Sequence, residues 1–213
     1  MSSSTSKREP LSPDRIVQAA LAVADAEGLE SLTMRRLALE MEAAPMAAYA
    51  HFRDKRELLA AVADAVIGEV ELPDADGRWR KPLRRLAVSF RRALLAHPAV
   101  MPVIQRFGAS GPNALAVLDR AHRIMRGAGF ADEDSARAVD TLYAFALGAV
   151  AIEIARAGLD PAARHAMRFA LPAAVYPDLV AVIPHVLALD DEDRFRYGLD
   201  RILDGLAAAR RST

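Results

Sequence analysis

The stretch Leu32–Leu59, LTMRRLALEMEAAPMAAYAHFRDKRELL, decides the fold. Thr33 suits a helix N-cap, because its hydroxyl can accept a bond from a free amide in the first turn. Leu37 and Met41 follow at i and i+4, on one face of a short helix. Glu42, Ala43 and Ala44 interrupt that pattern. Pro45 suits the first position of a second helix, where its missing N–H would be unpaired in any case. This helix reaches His51, with Ala47, Tyr49 and His51 as outward groups. Asp54 and Glu57 have the spacing of a capping box and open a third, longer helix. A helix-turn-helix of this kind is what readout of DNA requires, since the major groove is about 12 Å wide and admits one α-helix. Arg35, Arg36, Arg53, Lys55 and Arg56 surround the stretch, against Glu40, Asp54 and Glu57.

Upstream, Ser12-Pro13-Asp14 is a helix start, and Gly28 ends that helix. Ile16, Ala20, Val23 and Ala24 give it an apolar stripe, so it is scaffold for the reading head. Downstream, Leu58, Leu59, Val62, Ala63, Val66 and Ile67 form the apolar face of a helix to about Val70. Leu72 to Lys81 is turn-rich and marks the domain boundary. Arg78, Arg80, Lys81, Arg84, Arg85, Arg91 and Arg92 then follow with no acid among them. They read first as the solvated face of a helix whose other face is Leu83, Leu86, Ala87, Phe90 and Leu94, with a second nucleic-acid patch as the alternative. His97-Pro98 ends it. A short helix fits 99–106, another fits 112–126, and a long, nearly uncharged one fits 133–157. Residues 158–178 are irregular, with a short helix around 163–169. Tyr176 to Ala188 is apolar and broken by Pro184, and Asp190–Asp193 caps a last helix that ends near Arg210.

The chain has 213 residues, 53% hydrophobic and only 6% aromatic, which favours an all-α protein over a β-rich one. Its formal net charge is zero, so any nucleic-acid signal must be local. There is no Cys, which excludes disulfides and thiolate chemistry. Met1–Glu9 is polar and is not a secretory signal. The longest apolar run, Ala144–Ile152, is short of the ~20 residues that span a bilayer. A cytoplasmic protein with no membrane partner is expected. No P-loop, GxSxG or HExxH occurs, and His51, His97, His122, His165 and His185 are scattered, so no enzyme is expected. Asp119 and His122 are at i, i+3, but two ligands are too few for a metal site. Neither metal nor cofactor is expected.

The words AEGLESLTMRRLA and PMAAYAHFRDKRELL, in this order and spacing, resemble the DNA-binding domain of the TetR (tetracycline-repressor) family of bacterial transcriptional regulators. GFADEDSARAVDTLYAFALGAVAIE and FRYGLDRILDGL are similar to the regulatory domain of the tetracycline-repressor branch. The resemblance implies an N-terminal three-helix helix-turn-helix domain and a larger C-terminal helical domain. Residues 1–11 would be a disordered arm, 12–70 the DNA-binding domain, and 71–213 the ligand-binding and dimerisation domain. It implies a repressor that binds a palindromic double-stranded operator as a homodimer and is released by a small apolar or amphipathic effector.

Carried over position by position, Thr33 caps and contacts phosphate, and Arg35 reaches a base edge or phosphate. Pro45, Met46 and Ala47 open the recognition helix, Tyr49 reaches a phosphate through its hydroxyl, and His51 and Lys55 flank it. His97, Met101, Ile104, Phe107, His122, Met125 and Tyr143 are candidates to line an effector cavity. Leu147, Gly148, Ala151, Ile152, Ala155, Phe195, Leu199, Ile202 and Leu206 are candidates for a dimer interface. Two departures stand out. Glu42 occupies a turn position where the family usually has Gly, and Ala44 stands where it often has a polar residue. With the zero net charge, they leave open a helical interaction module that has lost DNA binding.

Overall fold

A computed structural model describes residues 12–42, 50–75, 78–108, 110–160 and 171–211. The arm 1–11, the recognition-helix residues Pro45, Met46, Ala47 and Tyr49, and the short helix expected at 163–169 lie outside the described residues. Among the described residues the regular structure is helical, as the composition requires. The α-helices are α1 Pro13–Glu27, α2 Met34–Glu40, α3 Lys55–Ile67, α4 Arg80–Ala96, α5 Met101–Phe107, α6 Pro112–Gly127, α7 Asp132–Ala157, α8 Pro177–Ala188 and α9 Asp191–Arg211. They form two compact units. The first contains the described residues up to Glu69 together with Ala96–Ala116; the second contains Val70–Leu95 and the described residues from Val117 onward. Sequence order alone groups Ala96–Ala116 with the region from residue 71, yet it packs with the N-terminal helices, because α5 lies along α3.

In the first unit the expected caps are formed. The Ser12 hydroxyl accepts the Arg15 N–H at 3.3 Å and the Thr33 hydroxyl the Arg36 N–H at 3.0 Å. Ile16, Ala20, Val23 and Ala24 are buried beneath Leu32, Leu37 and Ala38. The Arg36 guanidinium closes the outer side. Its Nε and Nη2 donate to Glu27 Oε1 at 2.9 and 2.6 Å, and its Nη1 lies 2.9 Å from Glu40. The hydrogen bonds from Arg36 hold the Glu27 carboxyl below its ordinary range. This contribution to stability is present above the unfolded carboxylate pKa and is lost as pH falls through the lowered folded one. Exposure to solvent keeps it small.

The turn after α2 is strained. Glu42 has φ of 49°, and its N–H donates to the Leu39 carbonyl at 3.1 Å. In that left-handed region Cβ crowds the backbone, which is why Gly is the ordinary choice at a helix end. Asp54 caps α3 by accepting the Glu57 N–H at 2.8 Å. Glu57 reaches back to the Arg53 N–H at 2.8 Å, one residue before the partner a capping box would use. That backbone bond, with the Arg53 side chain, depresses the Glu57 carboxyl.

Asp64, in the middle of α3, is 7% exposed. Its carboxylate accepts the backbone N–H groups of Ala114 at 2.9 Å and Asn113 at 3.2 Å. These are orphan amides of the first turn of α6, so a side chain from another helix performs the capping. Gly111 permits the approach: a Cβ there would stand 2.2 Å from the Asp64 carboxyl carbon. Asn113 completes the contact through its side-chain amide, which donates to the Asp64 carbonyl at 3.1 Å. At the C-terminal end of α3, the His97 ring lies between Asp25 of α1, at 2.6 Å, and Glu69, at 3.1 Å.

In the second unit the basic face of α4 is not simply solvated. Arg80 pairs with Asp204 and Arg84 with Asp200, both on α9, while Arg85 pairs with Glu71. Arg91 makes a two-pronged bond to Glu153 of α7 at 2.9 and 2.7 Å. The acids that neutralise α4 come from more than a hundred positions downstream in the case of α9, which a run of cations in sequence does not reveal. Arg80 holds the Asp204 carboxyl low. Helix α7 packs on α9 through Phe145 and Phe195, whose ring centroids are 5.4 Å apart. Gly198 makes room for this stack, since a Cβ would meet Phe145 at 2.5 Å. By length and composition alone, α7 is apolar enough to cross a membrane, unlike the shorter run Ala144–Ile152 considered by itself. Helix α8 continues through Pro184, where a break was expected; the ring sits on an exposed face, so the helix tolerates the missing donor.

Two outcomes test these contacts by urea denaturation. Asp64→Ala removes a buried, charge-assisted cap and should cost about 2–3 kcal/mol, with Gly111→Ala also destabilising. Glu42→Gly should raise stability by about 1 kcal/mol through relief of the left-handed turn. Equal stability of either variant and the parent would remove the corresponding explanation.

Candidate nucleic-acid interface

The described part of the reading head is a pair of capped helix starts with uneven charge. Thr33 is exposed, and its hydroxyl is engaged in capping α2. Arg35, next on the outer face, is exposed and makes no ion pair among the described residues; the same holds for Lys55 in the first turn of α3. His51 is exposed in the turn before α3. Arg36 and Arg53, which are indistinguishable from Arg35 as cations in the sequence, are held by Glu27 and Glu40 and by Glu57 respectively. Among the described residues, Arg35, Lys55 and Arg56 are therefore the cations of the motif without an acid partner. Of the eight DNA-contact candidates, these observations cover Thr33, Arg35, His51 and Lys55.

Arg56 is engaged differently. Its Cζ lies 5.0 Å from the centroid of the Phe107 ring, and Arg106 lies 5.4 Å from the same ring. This cluster joins the first turn of α3 to the last turn of α5. Reading the sequence missed it; the only signal available was a cation beside an aromatic at the end of a short helix.

The seven cavity candidates are divided between the two units. Met101 and Ile104 are core residues of the first unit, His97 bridges carboxylates, and Phe107 sits under the two guanidinium groups. In the second unit, Met125 is fully buried. The His122 Nδ1 is 2.9 Å from the hydroxyl of buried Ser135. Tyr143 meets Phe90 edge-on at 6.0 Å, and burial pushes its phenol above the usual range.

The nine interface candidates also separate. Phe195 and Leu199 are buried within the second unit, at 3% and 1% exposure, and are not available to a second copy. Leu147, Ala151, Ile202 and Leu206 are partly covered. Gly148, Ile152 and Ala155 are exposed and continue a stripe from Ala144 to Leu159 along α7. On α9 the exposed counterpart includes Tyr197 and Arg201. Phe195, Leu199, Ile202 and Leu206 are all interface candidates by sequence, but Phe195 packs against Phe145 of α7 within the unit.

Comparison with known proteins matches this arrangement. A family model described as "Bacterial regulatory proteins, tetR family" matches residues 16–62, and one described as "Tetracyclin repressor-like, C-terminal domain" matches residues 72–210. The chain is 32% identical to the HTH-type transcriptional repressor DrrR1 of Streptomyces coeruleorubidus, over 92% of this chain and 77% of that one. It is 34% identical to the class A tetracycline repressor protein from transposon 1721 of Escherichia coli, over 94% and 92%. Among solved structures it is similar to apo ActR from Streptomyces coelicolor, with a TM-score of 0.85 and 36% identity, covering 96% of this chain and 99% of ActR. ActR in complex with actinorhodin gives a TM-score of 0.83 at 36% identity, covering 94% and 99%. With two family models that together span most of its length and relatives more than 30% identical over most of both chains, the chain belongs to the TetR family of bacterial regulatory proteins.

Proposed function

We propose that this chain is a cytoplasmic transcriptional repressor, not an enzyme, that binds a palindromic operator as a homodimer and is released by a small apolar or amphipathic molecule. The observation that carries the reading is the capped pair of helix starts with Arg35 and Lys55 exposed and without acid partners among the described residues. Arg35 would read a base edge, since a guanidinium bonds guanine bidentately. Lys55, His51, Thr33 and Tyr49 would hold the phosphates, and Pro45, Met46 and Ala47 would meet the bases with apolar contact.

A palindrome requires two reading heads about one helical turn apart, ~34–36 Å, and therefore two copies. The exposed stripe Ala144, Gly148, Ile152 and Ala155 on α7 supports a second copy as its cover, with small residues that let helices approach closely. Residues 12–70 would then serve as the DNA-binding domain and 71–213 for ligand and partner. The relatives include ActR solved in complex with actinorhodin, which supports a small-molecule effector for this chain too. An effector that binds the DNA-incompetent conformation more tightly lowers operator affinity by its coupling energy, typically about 1–3 kcal/mol.

Fluorescence anisotropy tests the DNA reading, with the duplex immediately upstream of the protein's own gene and one selected from random sequence. Parent protein should bind one palindrome in a salt-sensitive manner, and Arg35→Ala should lose about 1–3 kcal/mol with relaxed preference at one base position. Tyr49→Ala should weaken all sequences alike. Uniformly weak binding, the same for unrelated DNA and for both variants, would instead favour an interaction module. Sedimentation equilibrium tests the dimer: Ile152→Glu should shift the parent dimer toward monomer without unfolding it. A monomeric parent would overturn the assignment of α7.

A further inference from the structure

We propose that Arg106, from the end of α5, binds the DNA backbone together with Arg56, so that the contact surface extends beyond the helix-turn-helix to a segment far along the chain. The inference rests on the operator-binding reading above and adds a residue to it.

The path of α5 places the group. The turn that precedes it is tied by His97 to Glu69, just beyond the C-terminal end of α3. The last residue of α5, Phe107, lies against Arg56 in the first turn of α3. The segment therefore runs antiparallel along α3 and delivers Arg106 to the end of α3 that carries Lys55. Gly108, with φ of 71°, ends α5 there, and the chain returns to Gly111 beside Asp64.

The charges at that end are unbalanced. Lys55, Arg56 and Arg106 are all exposed, and none makes an ion pair among the described residues. The acids nearby in sequence are engaged: Asp54 caps α3, and Glu57 is held by Arg53. Phe107 gives the two guanidinium groups a common aromatic face, which limits their freedom without neutralising them. Several arginines at other helix packing sites have acid partners instead, as Arg36, Arg80, Arg84 and Arg91 do. A cluster of cations left unpaired beside the reading head is suited to phosphates, whose contacts need charge and donors without sequence.

Full-length protein is titrated with its selected operator duplex at several sodium chloride concentrations, comparing parent, Arg106→Ala and Arg106→Lys. Arg106→Ala should weaken binding roughly tenfold or more at physiological salt and reduce the salt slope by about 1 for each copy of the chain on the duplex. Arg106→Lys should keep the parent slope. Thermal melting of the free variants checks that the exposed substitution leaves the fold intact. A parent slope in Arg106→Ala overturns the proposal, whether or not affinity falls, because loss at constant slope reports packing against Phe107. A parent protein that binds no duplex in the selection overturns the regulator reading and this proposal together.

Discussion

The buried Asp64 carboxylate is the contact on which the first unit depends. Burial of an acid is unfavourable unless donors replace water, and here two backbone amides at the start of α6 do so. The same contact satisfies amides that would otherwise be orphaned, so both partners gain from one geometry. Helix α3 is thereby fixed at its middle by α6 and at its C-terminal end by the His97 turn. Its N-terminal turn, with Lys55 and Arg56, is held at a set angle instead of hanging from a loop. Gly111 favours that arrangement, because a Cβ there would meet the carboxylate and force it to shift away from the amides.

A zero net charge and a DNA-binding role are compatible because charge is used in two ways. Arg80, Arg84 and Arg91 of α4 pair with acids of α7 and α9, where they hold helices together. Arg36 is clamped by two acids and fixes α2 to the end of α1. In the first unit Arg35, Lys55, Arg56 and Arg106 are without acid partners among the described residues. Net charge averages over these populations and hides the local excess, whereas screening over about 10 Å makes the local excess the quantity that a phosphate meets.

The second unit shows how packing divides an apolar stripe. Phe195 and Leu199 turn inward against α7, with Gly198 admitting the Phe145 ring, and this builds the unit's own core. The small residues of α7, Gly148 and Ala155 among them, remain on its outer face with Ile152. Helical period places both sets on apolar faces; it does not say which face another helix of the same chain will cover.

The sequence alone determined what is local. Ser12, Thr33, Asp54 and Asp190 announce helix starts through a side-chain oxygen, and each cap is formed. The order and spacing of the helix-turn-helix words were enough to point to the family. The anomaly at Glu42 was visible too, because only a left-handed residue closes that turn. Tertiary structure decided what depends on residues distant in the chain: that Arg36 is clamped while Arg35 is open, that Asp64 caps another helix, and that Arg106 and Arg56 share the Phe107 ring. It also divided the seven cavity candidates between two units. Helix caps act over three or four residues and can be read from spacing. Ion pairs, aromatic stacking and burial depend on which helices pack together, and neither periodicity nor composition specifies that.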